Sequence, residues 1–380
     1  MNPETAETAR PPAPGTAPGP GPGPDLLYSD TETALRASVR ALLDDRADPA
    51  GLPARAETGD PYDAGVWRAL ATDIGVAGLL VPEALGGQGA SHREAAVVLE
   101  ELGRAVTPAP VLTSSVIATE TLLALDTRRA EVAGLLAAVA TGRTVAAVAV
   151  PLVADPYTPP PPPADGRITG VADALAADVL LVPRPDGLYA VGAADALIEP
   201  LTALDLTRPL ATVSRATGGT RLAGPAETGR AVRRGLLAGA GLLASEQLGV
   251  AEWCLERTVR HTRERRQFNR PVGSFQALKH RMARLWLDLV SARAAARNAA
   301  DALAGGAPDT AVAIAVAGAY VSDVAVRAAE ACVQLHGGIA MTWEYPAHLY
   351  LKRAKSGQIA LGSPGRHRAE LAALVSLPMP

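Results

Sequence analysis

The chain has 380 residues, 48% of them hydrophobic, enough to bury the cores of two or three domains. A formal net charge of −3 leaves no electrostatic footprint for nucleic acid or an anionic membrane. Cys254 and Cys332 sit in apolar helical patterns, and the six histidines show no zinc spacing. Buried free thiols in a reducing cytoplasm and no metal site are therefore expected.

Residues 1–25 are dense in Pro and Gly, with neither the basic start nor the apolar centre of a signal peptide. Such a segment cannot bury enough surface to fold, so a disordered tail is expected. Residues 26–142 read as an α-helical domain. Leu35, Val39 and Leu42 recur at helical spacing after Asp30, the expected N-cap. A second helix ends at Gly75. Ser91 with Glu94 three residues on forms a capping box, and a further helix runs through PVLTSSVIATETLLAL.

Residues 143–225 change to short β-type runs split by Gly, Pro and Asp, a small β domain. Within it DPYTPPPPPADG reads as an exposed loop. Residues 226–380 return to long helices: about 227–263, then one from Ser274 to Gly305–Gly306, then one from Asp309 to His336. Shorter ones follow Trp343 and Pro364. Long helices with short links predict a bundle, with the apolar 309–336 helix at its centre. No apolar run reaches membrane-spanning length without polar interruption, so a soluble, cytoplasmic protein is expected.

Two segments carry chemistry. TRERRQFNRPVGSFQALKH (262–280) gathers Arg263, Arg265, Arg266 and Arg270 around Phe268, just before a helix start. Cations beside a helix N-terminus favour an anion; a solvated basic corner is the plainer reading. In QLHGG (334–338), Gly337 and Gly338 end a helix in bare backbone, and Gln334 can donate and accept hydrogen bonds. An ordinary glycine C-cap has the same look. No GxGxxG or GxSxG accompanies them.

These stretches resemble the acyl-CoA dehydrogenase family of flavoproteins. VWRALATDIGVAGLLVPEALGGQGASHREAAVVLEELGRA is similar to the family's N-terminal helical domain. RRQFNRPVGSFQALKHRMA is similar to its arginine–x–x–phenylalanine–glycine…phenylalanine–glutamine segment, and QLHGGIAMTWEYPAHLYLKRAK to its glutamine–x–x–glycine–glycine segment. The resemblance covers about residues 26–378. It implies a mostly α fold with an N-terminal helical domain, a middle β-barrel and a C-terminal four-helix bundle. FAD would lie between bundle and barrel, its adenosine diphosphate half reaching a neighbouring subunit. Arg265, Gln267, Phe268 and Gln276 would hold that half, and Gln334, Gly337 and Gly338 would let it lie on bare helix end. Asn269 stands where the family has glycine.

The resemblance also marks departures. The family's base, a glutamate before a glycine–threonine pair, falls on Leu361, with Gly362 and Ser363 as the pair. The alternative base position on the first bundle helix falls on Gly239, and its supporting arginine on Ala240. The barrel segments that face the flavin are missing, and the barrel looks short. Glu246 lies two turns, ~10 Å, beyond Gly239 among Leu242, Leu243, Gly249 and Val250. A lone buried glutamate there should have a raised pKa and could act as a displaced base; a structural pair with an arginine is the alternative.

The resemblance implies FAD-dependent α,β-dehydrogenation of an acyl-CoA or acyl-carrier thioester by a homodimer, homotetramer or heterotetramer. Alternatives are a non-catalytic partner completing the FAD site of a heteromeric dehydrogenase, a member recruited to other flavin chemistry in a biosynthetic pathway, and a scaffold without flavin.

Overall fold

The computed structural model describes residues 26–377 apart from Asp48, Ala50 and 58–61. The tail expected at 1–25 lies outside the described residues. The chain begins with α1 (Asp30–Arg46), α2 (Leu52–Glu57) and α3 (Ala64–Arg68), the last continuing as a π-type segment Ala69–Asp73. Next come α4 (His92–Ala105), a π-type segment Val111–Ala118 that runs into α5 (Thr119–Leu123), and α6 (Ala130–Ala140). The cap of α1 is Ser29 rather than Asp30. Its hydroxyl accepts from the Glu32 amide while Glu32 reaches back to the Ser29 amide. The Ser91–Glu94 capping box opens α4 as the spacing requires.

The β region is two small sheets. One has the order β1 (Ala146–Val148), β3 (Val179–Arg184), β4 (Gly187–Gly192), β7 (Thr220–Ala223); β1 and β3 run parallel. The other has the order β2 (Ile168–Ala172), β6 (Leu210–Ser214), β5 (Leu197–Leu201), all antiparallel. Val171, Leu180, Val191, Ala211 and Val213 fill the space between them.

The C-terminal part is built on α7 (Pro225–Glu264), α8 (Gln276–Gly305) and α9 (Thr310–His336), followed by α10 (Ala347–Ile359) and α11 (Pro364–Leu374). Between α7 and α8 a two-residue hairpin pairs β8 (Arg266–Gln267) with β9 (Arg270–Pro271). Gly306 takes the left-handed conformation that closes α8, where Gly305–Gly306 was expected to stop it. The scarcity of aromatics has a structural counterpart. α4 meets α7 at Gly103 and Gly249, where a side chain would collide with the Glu246 and Glu100 carbonyls of the opposite helix. Helices at that separation are filled by Ala and Gly, not rings.

By length and hydropathy the segment Thr310–Met341 could cross a membrane, contrary to the expectation from the sequence; 56% of its most apolar stretch is buried inside the protein. α9 packs against α7, α8, α10 and α11, so its apolar faces have protein partners.

Candidate functional site

The hairpin and the glycine turn lie at one end of the bundle. The rings of His261, near the end of α7, and His336, the last residue of α9, stack at 4.3 Å. Phe268 and Asn269 have φ of 52° and 59°, the two positive values that a two-residue turn of primed type requires. Asn tolerates this well, so its replacement of glycine is conformationally mild. Phe268 is 85% exposed, edge-on to Phe275, while the Arg270 guanidinium sits 3.9 Å from the Phe275 ring. Arg265, Gln267 and Gln276 are exposed, and Gln276 is the first residue of α8, with no side-chain cap before it. Gln334, Gly337 and Gly338 are exposed too. Gly337 has φ 69° and ψ −145°, a conformation open to glycine alone. A Cβ at Gly337 or Gly338 would meet nothing within 4 Å. The corner thus has exposed cations, an aromatic and bare backbone, a set that fits a nucleotide diphosphate.

The crease between β region and bundle is filled. Leu361 is buried, at φ 51°, and its amide donates to the Leu152 carbonyl at 2.8 Å. Its Cδ1 lies 3.1 Å from where a Cβ on Gly239 would stand, and Ile117 Cγ1 lies 2.6 Å from the same point. Thr113, Val148, Leu152, Leu236 and Leu361 enclose a cavity of about 20 Å³, the size of one water. The loop after β1 closes the crease further. Its start, expected to be exposed with the rest, is buried at Pro156 and Tyr157; most of residues 158–166 face solvent as expected. The Tyr157 hydroxyl meets His367 Nδ1 at 2.8 Å, its carbonyl accepts from Arg233 at 3.0 Å, and Arg366 binds Asp155 at 2.7 Å. Burial, with Arg366 alongside, pushes His367 down to about 4, so its ring is neutral. Ser363, which the resemblance also offers as a cofactor contact, is exposed, and its hydroxyl caps α11 by accepting from the Arg366 amide.

Glu246 is not a raised-pKa base. Burial alone would push its carboxyl up, but Arg208 and Arg353 outweigh burial and hold it below the usual carboxylate range. One oxygen accepts from Arg208 and the other from Arg353 at 2.8 Å. Arg353 also donates to the Thr207 carbonyl and hydroxyl at 2.9 and 3.0 Å and lies 3.5 Å from Asp205. The cluster joins α7, α10 and the β5–β6 connection out of water. An apolar helix carrying one glutamate signals that cations must meet it; nothing in the sequence says which arginines do. Asp173 is a second buried carboxyl that the sequence did not single out. It accepts from Tyr62 and Thr113 at 2.6 Å each, and burial raises its pKa.

Around α7 from Leu236 and Gly239, a separate cleft of about 700 Å³ opens between α5, α7 and the α8–α9 link. Arg230, Arg233 and Arg234 border it over Leu237, Leu303 and Ile314. Within it Glu120 binds His92 at 3.1 Å and Arg234 at 2.7 Å. Among the described residues no group of three or more His, Cys, Asp and Glu could hold a metal ion.

Comparison with known proteins agrees with this architecture. The acyl-CoA dehydrogenase N-terminal domain matches residues 29–142 and the acyl-CoA dehydrogenase C-terminal domain residues 229–375. The chain is 35% identical to acyl-CoA dehydrogenase IpdE2 of Mycolicibacterium smegmatis, over 91% of this chain and 99% of the relative. It is 36% identical to the IpdE2 of Mycobacterium tuberculosis, over 87% and 92%. Among solved structures, the ChsE4-ChsE5 complex from Mycobacterium tuberculosis shares the fold at a TM-score of 0.81 and 24% identity, covering 94% of this chain and all of that one. The Tcur3481-Tcur3483 steroid ACAD variant gives 0.79 at 29% identity, covering 91% and 98%. The chain belongs to the acyl-CoA dehydrogenase family.

Proposed function

We propose that this chain is the non-catalytic partner in a heteromeric, FAD-dependent acyl-CoA dehydrogenase, supplying the adenosine diphosphate half of the cofactor site to a second, catalytic subunit. The observation that carries this reading is the contrast between two places. At the crease, Leu361, Ile117 and their neighbours leave a cavity of about 20 Å³, with room for neither a flavin ring nor an acyl chain. At the bundle corner, Arg265, Gln267, Phe268, Gln276, Gln334, Gly337 and Gly338 stay open.

FAD bound there would supply the hydride acceptor, and this chain's residues would only bind and orient it. Arg265 would neutralise pyrophosphate charge. Phe268 would give the adenine an apolar face, and Gln276 and Gln334 hydrogen bonds. Gly337 and Gly338 would admit the dinucleotide against the main chain. Proton abstraction next to the thioester carbonyl needs a base, and the buried carboxylates Glu246 and Asp173 are committed elsewhere. Glu246 is tied to Arg208 and Arg353, and Asp173, beside the crease, accepts from Tyr62 and Thr113 on its two oxygens. The names of two structural relatives, ChsE4-ChsE5 and Tcur3481-Tcur3483, each join two proteins, and the second is called a steroid ACAD, which supports a heteromer acting on a bulky acyl thioester.

The test is purification alone and with a dehydrogenase-like chain encoded beside it. The lone chain should lack visible flavin absorbance, and the co-purified complex should be yellow and bleached anaerobically by acyl-CoA. A lone chain that is yellow and oxidises acyl-CoA would refute the proposal. Dehydrogenation by the chain itself keeps one observation in its favour. The arginine-bordered cleft of about 700 Å³ has cations for phosphate over an apolar floor.

A further inference from the structure

Behind the glycine turn His336 packs among Cys332, His261 and Tyr345. The Cys332 carbonyl can only accept, so His336 Nδ1, 2.7 Å away, carries a proton. His336 Nε2 is hydrogen-bonded to the Tyr345 hydroxyl at 2.8 Å, accepting from it when the ring is neutral and donating to it when the ring is protonated. The His336 ring lies between His261, at 4.3 Å, and Tyr345, at 4.6 Å. It is buried, whereas Gly337, Gly338, Ile339 and Met341 to Glu344 are exposed. His336 and Tyr345 therefore mark the two ends of an exposed loop and are bonded directly to each other. Inside the loop, buried Ala340, a Thr342–Ile339 contact of 2.8 Å and Trp343, edge-on to His348 at 4.7 Å and 5.0 Å from Lys352, are further attachments. Gly337 holds its glycine-only backbone right beside the bonded pair.

We infer that His336 and Tyr345 form a latch that fixes loop 337–344 in the shape that receives the adenosine diphosphate half of the dinucleotide. Both are positioning residues: they act on the ligand through the Gly337–Gly338 backbone. This inference rests on the half-site reading above. Without the latch the loop samples conformations that do not bind, and apparent affinity falls by the fraction of time the receptive shape is lost.

The test uses the full-length chain with ADP as probe. Hydrogen exchange of loop 337–344 and the ADP dissociation constant are measured for the wild type and Tyr345→Phe, which keeps the ring and removes only the hydroxyl. One buried hydrogen bond corresponds to about a fivefold change in each. The expected result is faster exchange confined to the loop together with weaker ADP binding, the α9 amides and melting temperature staying near wild type. Unchanged ADP affinity in Tyr345→Phe overturns the latch, whether or not the loop loosens. Failure of the wild type itself to bind ADP removes the half-site reading and the latch with it. The wild-type titration alone thus separates that failure from a failure of the latch.

Discussion

Leu361 Cδ1 lies 3.1 Å from the point where a Cβ on Gly239 would stand. These are the two positions at which the family resemblance locates a catalytic glutamate, and here they pack against each other through Ile117. Gly239 is needed for that packing: a methyl there would also fall 2.6 Å from Ile117 Cγ1. Gly239→Ala should destabilise the chain by about 1–3 kcal/mol through overpacking. Ile117→Ala should destabilise by about 2–5 kcal/mol through a cavity. In the double variant the new methyl occupies part of that cavity, so the loss should be smaller than the sum. Additive urea-melt values for the three variants would show that the crease is looser than described.

Glu246 gives a sharper contrast between structure and chemistry. Both of its carboxylate oxygens are taken by arginines out of water. Glu246→Gln leaves Arg208 and Arg353 without their shared countercharge and should lower stability by about 3–5 kcal/mol. A glutamate serving only as a base would lose activity and keep its melting midpoint. Denaturant unfolding of the variant decides between these, and an unchanged midpoint would sink the structural assignment.

The Glu246 case also shows where the sequence stopped being legible. Local signals read well. The Ser91–Glu94 box, the glycine stop after α8 and the apolar stripe of α9 each depend on residues a few positions apart. The two segments of the bundle corner were legible for the same reason, since the hairpin and the Gly337–Gly338 turn are each continuous in the chain. The raised pKa expected of Glu246 is overturned because its pKa depends on Arg208 in the β5–β6 connection and Arg353 on α10, far away in the chain; the alternative, a structural pair with an arginine, is what the fold forms. The proline-rich loop is exposed over most of its length as expected, but its buried start was missed in the same way. Tyr157 is buried by His367, Arg233 and Arg366, and polyproline spacing says nothing of them. At the start of α1, Ser29 outcompeted Asp30 because its neighbour Glu32 could complete a reciprocal cap.

Glu100 predicts a pH dependence. Burial first, and then the charge of Glu252, push it up from 4.5 to about 7, with Tyr28 and Arg36 opposing. The folded state therefore holds this proton more tightly than the unfolded chain. The associated stabilisation is fully present below 4.5 and is lost as pH rises through about 7. Glu100→Gln keeps the hydrogen-bonding shape and cannot ionise. Its stability should fall less than that of the wild type across this window, measured by chemical denaturation at a series of pH values. Parallel curves for the two proteins would show that Glu100 does not titrate there.

Gly338 separates folding from cofactor binding better than any other residue at the corner. It lacks the positive φ of Gly337, and a side chain there would meet nothing within 4 Å. Gly338→Val should therefore leave stability within about ±0.5 kcal/mol, the usual range for a surface change. If a dinucleotide lies on this backbone, the isopropyl group stands where the ligand must come. The variant should then assemble with a catalytic partner yet lose its flavin, read as the ratio of flavin absorbance to protein after gel filtration. Gly337→Ala is the counterpart, since at φ 69° it should strain the turn and lower stability by about 1–3 kcal/mol before any ligand is added. A Gly338→Val complex that keeps its full flavin content would mean that the bare turn is only the end of a helix.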